Sequence, residues 1–158
     1  MTPPMEFTLR PATSADVPSV IELVSHTLSE FGIAFGEGTP TDEQLKGLPK
    51  SYHDETGEFF VALFANQLVG TAGVVSLGDG IFELRKMYLR PVARGSSVAP
   101  ALLEACIQHC RKHHAKALVL DTTIEMKRAI AFYERNGFVR DDSQIRSTRC
   151  SRGYRLDL

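Results

Sequence analysis

The stretch Glu83-Leu84-Arg85-Lys86-Met87-Tyr88-Leu89-Arg90-Pro91-Val92-Ala93-Arg94-Gly95-Ser96-Ser97-Val98-Ala99 decides the fold. Its first half belongs to a strand from Ile81 to Leu89, which Arg90-Pro91 ends because proline removes a ladder donor. Arg94-Gly95-Ser96-Ser97 is a short turn that opens a long helix, with Leu102, Leu103, Cys106, Ile107 and Cys110 as its apolar stripe. A helix start leaves backbone N–H groups unpaired and carries the positive end of the helix dipole. A strand that runs through a small polar turn into such a start can hold a diphosphate through main-chain amides. The same residues also read as an ordinary turn with Ser96 or Ser97 as N-cap. Pro100 suits both readings, since it falls in the first helical turn.

Working outward, Phe7 to Arg10 is a short strand closed by Pro11, and Thr13-Ser14-Ala15-Asp16 is a capping box. Val17, Val20, Ile21, Val24 and Leu28 recur at helical spacing and carry a first helix to about Glu30. Gly32, Gly36, Gly38 and Pro40 break the chain into a loop. Thr41-Asp42-Glu43-Gln44, a second capping box, predicts a short helix to about Leu48. Phe59 to Ala65 and Leu68 to Leu77 are strands joined at Asn66-Gln67, and Gly78-Asp79-Gly80 turns into the strand at Ile81, giving an antiparallel meander. Downstream, Ala117 to Leu120 is a short buried strand. Thr122-Thr123-Ile124-Glu125 is a third capping box, for a helix with Met126, Ala129, Ile130 and Tyr133 on one face. Asn136-Gly137-Phe138 supplies a left-handed stop, and Val139 to Leu158 reads as a final hairpin. The order predicts an α/β (α+β) fold, a mixed sheet of about seven strands with about four helices packed on it. It is not the alternation of a doubly wound dinucleotide fold.

Composition narrows the function classes. The 158 residues, 43% hydrophobic and 23% charged, suit one domain over 1–158, with residues 1–5 as a loose tail. Lys and Arg number 18 against 19 Asp and Glu, so a strongly cationic nucleic-acid binder is disfavoured. No apolar run approaches the ~18–20 residues of a membrane-spanning helix, and the N-terminus lacks the basic start and apolar stretch of a secretory signal. Three cysteines in no framework spacing predict free thiols and a reducing cytoplasm.

The segment from Arg94 to Ala99 resembles the acyl-CoA signature of the GNAT superfamily, the Gcn-five-related N-acetyltransferases. Their pattern is Gln/Arg-x-x-Gly-x-Gly/Ala at the mouth of a helix. Arg94 fills the first position, Gly95 matches an Arg-Gly pair common there, and Ala99 fills the last; Ser97 stands where the family usually has Gly. Ala129-Ile130-Ala131-Phe132-Tyr133-Glu134-Arg135-Asn136-Gly137-Phe138 is similar to the family's Ala-Ile-x-Phe-Tyr-Glu-x-x-Gly-Phe element, with Met126 where the family often has Asn. Leu9 to Asp16 also looks like a GNAT start.

The resemblance implies a mostly antiparallel central sheet and transfer of an acetyl group from acetyl-CoA to a primary amine. The acceptor is expected to be a small, amino-acid-like molecule, and the transfer direct, in a ternary complex. It implies cofactor contacts at Met87, Tyr88, Leu89, Arg94, Gly95, Ser96, Ser97, Val98, Ala99, Met126, Ala129 and Phe132. Met87 and Leu89 would bond the pantetheine arm through the backbone of a strand splayed from its neighbour. Tyr133 matches the proton donor to the leaving thiolate, and Glu83 a general base. A phenol near pKa ~10 suits the first task. Without the resemblance, Tyr133 continues the core stripe and Glu83 pairs with Arg85 on the surface. Strand alternation sets Glu83, Arg85 and Met87 on one face unless a bulge shifts the phase. No metal is expected: Cys106 and Cys110 lie on the apolar stripe, and His109, His113 and His114 fall toward the polar face. Cys150 has no partner His and reads as structural. Arg146, Arg149, Arg152 and Arg155 read as a cationic edge strand or, through the resemblance, as readers of an acceptor carboxylate. The resemblance implies an acceptor pocket walled by the last hairpin on one side and by the loop after the first helix on the other, with Glu37, Asp42 and His53 on that second wall. No nucleic acid or membrane partner is expected; a homodimer is compatible with the resemblance. Acetylation of a protein Lys or N-terminus, and a non-catalytic acyl-CoA sensor, are the alternatives.

Overall fold

A computed structural model describes residues 6–158; the tail expected at 1–5 lies outside them. The described residues form one sheet of seven strands, β1 (Thr8–Pro11), β2 (Glu58–Phe64), β3 (Gln67–Gly78), β4 (Ile81–Leu89), β5 (Ala117–Thr122), β6 (Val139–Arg140) and β7 (Arg152–Asp157). Their order is β1-β2-β3-β4-β5-β7-β6, and every pairing is antiparallel except β4 with β5. The helices are α1 (Val17–Ser29), α2 (Lys50–His53), α3 (Val98–Lys112) and α4 (Lys127–Arg135). The expected mixed, mostly antiparallel sheet is therefore present, and no helix among the described residues is long and apolar enough to cross a membrane.

The sheet is packed on both faces, and alternation along each strand sorts the side chains. Val74, Phe82, Leu84 and Leu118 meet Leu102, Cys106 and Ile130 of α3 and α4. Val61, Val75 and Phe59 meet Val20, Leu23 and Val24 of α1, together with Leu45 and Tyr52. The first capping box forms, with the Thr13 N–H donating to Asp16 Oδ2 at 2.8 Å.

The other two boxes do not form, because tertiary contacts take their residues. Thr41 Oγ accepts from Lys86 Nζ at 2.9 Å, and Asp42 is buried in an ion-pair cluster. The chain there makes a short 3₁₀ turn over Glu43–Gly47 before α2. Thr122 is still in β5, paired with Arg152, so α4 starts only at Lys127. The final hairpin exists but is inserted: β7 lies between β5 and β6. Arg152 and Arg155 thus sit on an inner strand, not on the cationic edge expected of them. The edges are β1 and β6.

Two irregularities in β4 create the site. Its pairing with β5 lasts only from Ile81↔Ala117 to Glu83↔Val119, after which the two parallel strands part. Against β3, the register jumps from Gly73↔Arg85 to Thr71↔Tyr88, so Lys86 and Met87 oppose the single residue Ala72. Lys86 holds φ +55, and Thr71 Oγ donates to its carbonyl at 2.7 Å. This bulge shifts the phase of the strand. Met87 joins the α3 side of the sheet and Tyr88 the α1 side, correcting the simple alternation of Glu83, Arg85 and Met87.

Candidate active site

The parting of β4 and β5 leaves a groove of about 780 Å³ between β4, the mouth of α3 and one side of α4. Among the expected cofactor contacts, Met87, Tyr88, Leu89, Arg94, Gly95, Ser96, Ala99, Met126, Ala129 and Phe132 all line it. Ser97 and Val98 do not. Ser97 is the exposed N-cap of α3, and the Val98 side chain is buried in the core.

The turn before α3 presents donors. Gly95 has φ +75, and a Cβ there would meet nothing within 4 Å, so the backbone is open on that side. Ser96 Oγ donates to the Ala93 carbonyl at 2.5 Å and accepts the Val98 N–H at 3.2 Å. Among the described residues, the N–H groups of Gly95, Ser97 and Ala99 find no acceptor. Unpaired amides at a helix start, with no carboxylate among them, suit an anion. Lys127, Arg128 and Arg135 add positive charge along the α4 side of the groove.

Arg94 does something the sequence did not foretell. Its guanidinium forks onto Glu30 at 2.9 and 2.5 Å and donates from Nε to the Leu89 carbonyl at 3.2 Å. It ties the end of α1 to the turn and holds the Glu30 carboxyl below its usual range.

A second, smaller cavity of about 70 Å³ adjoins the groove, lined by Glu83, Arg85, Lys86, Asp121, Arg149 and Cys150 among others. Groove and cavity share five lining residues: Met87, Tyr88, Met126, Ala129 and Tyr133. The Tyr133 hydroxyl makes no hydrogen bond among the described residues, and burial pushes its pKa above the tyrosine range. Tyr88 is pushed up to about 12, again mainly by burial. Both phenols therefore keep their protons at neutral pH.

Glu83 is buried, with its side chain 6% exposed. Its Oε1 accepts from Arg85 Nε, and Arg85 also donates to Gln44 Oε1 at 3.0 Å. Its Oε2 is buried without a hydrogen-bond partner; Arg146 Nη1 stands 3.8 Å away, beyond bonding length. Asp121 is occupied by the backbone N–H groups of Arg146 and Ser147, at 2.8 and 2.9 Å. The Cys150 thiol is pushed up to about 12 by burial, with Asp121 adding to the shift. A thiol so protonated is a poor nucleophile.

The cavity wall depends on a buried ion cluster that joins three distant segments. Asp42 Oδ1 accepts from Lys86 Nζ, and both Asp42 oxygens accept from Arg149, at 2.7 and 3.0 Å. Arg149 also donates to the Glu37 carbonyl at 3.1 Å. The side chains of Asp42, Lys86 and Arg149 are 0%, 4% and 11% exposed. Burial works against the Asp42 carboxylate, but Arg149 and Lys86 outweigh it and hold its pKa below the usual range. Burial pushes the Lys86 ammonium down more than Asp42 lifts it. Of these three, sequence reading assigned Asp42 and Arg149 to opposite walls and left out Lys86, whose strand position signals nothing until the bulge turns it inward. His53, expected on the wall, pairs instead with Glu58 at 2.9 Å. Arg152 donates to the Tyr154 hydroxyl and Arg155 to Asp157, so neither lines the cavity.

Comparison with known proteins identifies the family. The profile described as "Acetyltransferase (GNAT) family" matches residues 21–138. A protein of Escherichia coli (strain K12) named "Uncharacterized N-acetyltransferase YjgM" is 30% identical over 149 residues, covering 92% of this chain and 89% of that protein. The chain therefore belongs to the GNAT acetyltransferase family and is an N-acetyltransferase enzyme by that membership. Among solved structures, a GNAT-family acetyltransferase from Staphylococcus aureus Mu50 superposes with TM-score 0.87 at 22% identity, covering 96% of this chain and 99% of that one. The PaiA N-acetyltransferase from Thermoplasma acidophilum, in complex with coenzyme A, superposes with TM-score 0.77 at 19% identity, covering 98% of this chain and 100% of that one.

Proposed function

We propose that the protein acetylates the primary amine of a small, amino-acid-like molecule, taking the acetyl group directly from acetyl-CoA with both substrates bound. The observation that carries this is the meeting of two cavities of unequal size at Met87, Tyr88, Met126, Ala129 and Tyr133. The groove suits the long donor. Its open backbone at Gly95 and the unpaired amides of Gly95, Ser97 and Ala99 fit a diphosphate, and the edge of β4 that β5 leaves unpaired suits the pantetheine arm. The Thermoplasma neighbour's coenzyme A complex supports the same use of the groove. The 70 Å³ cavity suits a compact acceptor better than a peptide chain. A protonated Cys150 speaks against a covalent relay, and free cysteines suit a reducing cytoplasm.

Acetyl-CoA supplies the acetyl group and, as it leaves, a thiolate. Tyr133, at the junction and holding its proton, donates to that thiolate. Glu83 Oε2, unpartnered in the cavity, accepts the proton that the acceptor ammonium must lose before it attacks. Arg85 keeps the other carboxylate oxygen fixed.

Thiol release from acetyl-CoA, followed across a panel of small amines and amine-bearing peptides, tests the reading. Amine-dependent release with small acceptors is expected. Stabilisation by CoA without turnover on any amine would favour a sensor instead. In the same assay Glu83→Gln should lower kcat/KM by about 10²-fold near pH 7. The deficit should shrink as pH rises toward the acceptor's own pKa, where the amine loses its proton without help. A deficit equally large at every pH would assign Glu83 to packing.

A further inference from the structure

The small cavity carries an uneven charge. Among the described residues Asp42 is the only carboxylate paired with Lys86 and Arg149, so two cations share one anion where almost no water reaches. Glu83 pairs with Arg85, Asp121 Oδ2 accepts the backbone N–H groups of Arg146 and Ser147, and neither carboxylate pairs with Lys86 or Arg149. Over the whole cavity Arg85, Lys86 and Arg149 balance Asp42, Glu83 and Asp121, so the excess of cations is local to Lys86 and Arg149. A buried charge without a counter-ion is costly, and at the Lys86–Arg149 pair the deficit amounts to a single negative charge. At the other end of the cavity Glu83 Oε2 is buried and accepts no hydrogen bond among the described residues, which leaves an acceptor free there. The two poles lie three residues apart on β4, and the bulge at Lys86 brings both into one cavity.

Resting on the reading of this cavity as the acceptor site, we infer that the acceptor is a zwitterion. Its amine lies against Glu83 Oε2, and its single carboxylate is read by Lys86 and Arg149. One missing charge favours a carboxylate over a phosphate dianion, and the small volume favours an amino acid over a peptide. Arg149 was one of four tail arginines open to this role, and Lys86 is its partner. Asp42 spreads one carboxylate over both cations and so positions them without saturating them.

The test compares free amino acids, including β-alanine and 4-aminobutyrate, with their carboxamides in the thiol-release assay. Calorimetric binding of the same compounds to the CoA-bound protein runs alongside. At least one amino acid should be used ~30-fold or more better than its carboxamide. Lys86→Met removes the surplus cation and leaves Asp42 and Arg149 as a one-to-one pair, so it should fold. In that variant the preference should collapse, through a raised KM for the amino acid, while CoA affinity stays as it was. Equal use of amino acids and carboxamides would overturn the inference and leave amine acetylation standing. If no amine is turned over, the acetylation reading falls. Binding then decides alone: Lys86-dependent binding of amino acids but not carboxamides upholds the carboxylate site, and no such binding removes it.

Discussion

Tyr133→Phe is expected to lower kcat by about 10²- to 10³-fold, while CoA affinity and thermal stability stay close to wild type. The size follows from losing a positioned general acid. The selectivity follows from the structure. The hydroxyl has no partner among the described residues, so its removal leaves no buried group unpaired, and the ring keeps its packing against Phe132, Phe138 and Tyr154. A phenol whose pKa burial raises is always protonated at working pH, which suits a donor and excludes a base. Tyr88→Phe is the needed comparison, because Tyr88 also lines both cavities. If Tyr88→Phe lost activity and Tyr133→Phe kept it, the donor would be Tyr88.

The largest stability effect is expected from Asp42→Asn. The amide keeps the shape but removes the one carboxylate between Lys86 and Arg149. Breaking a buried ion cluster by removing one partner costs about 3–5 kcal/mol. In a domain of this size that is a drop in Tm on the order of 10 °C. The acid side is informative too. The folded pKa of Asp42 is lowered, so its contribution is fully present above the unfolded carboxyl pKa of ~3.9 and is lost as pH falls below that toward the folded value. Wild type should therefore lose stability below about pH 4 more steeply than Asp42→Asn does. Thermal melts of both proteins from neutral to acid pH check this. Equal melting temperatures at neutral pH would show that the cluster contributes nothing.

Much of the larger groove was legible in the chain, and much of the smaller cavity was not, for a physical reason. The strand ending at Leu89, the turn at Arg94–Ser97 and the helix after it are local: a proline, a glycine and an apolar period specify them within twenty residues. The element from Ala129 to Phe138 is just as local. The cavity is built from contacts distant in sequence. Asp42, Lys86 and Arg149 meet only after three segments fold together. The bulge that turns Lys86 inward has no marker in Arg85-Lys86-Met87, since it arises from the register against Thr71 and Gly73. The capping boxes at Thr41 and Thr122 misled for the same cause. Each pattern was real, but Lys86 and the β5–β7 ladder competed for the same residues and won. Arg94 fitted the signature and yet its guanidinium is held by Glu30, so the donors left unpaired at the turn are main-chain amides.

The central claim is that main-chain amides at the mouth of α3 hold the donor's diphosphate in the groove opened by the parting of β4 and β5. A crystal structure of the protein with coenzyme A tests it most directly. Diphosphate oxygens should lie within about 3.2 Å of the N–H groups of Gly95, Ser97 and Ala99, with the pantetheine arm along Met87 to Leu89. Coenzyme A bound away from that turn, or with its diphosphate held only by side chains, would contradict it.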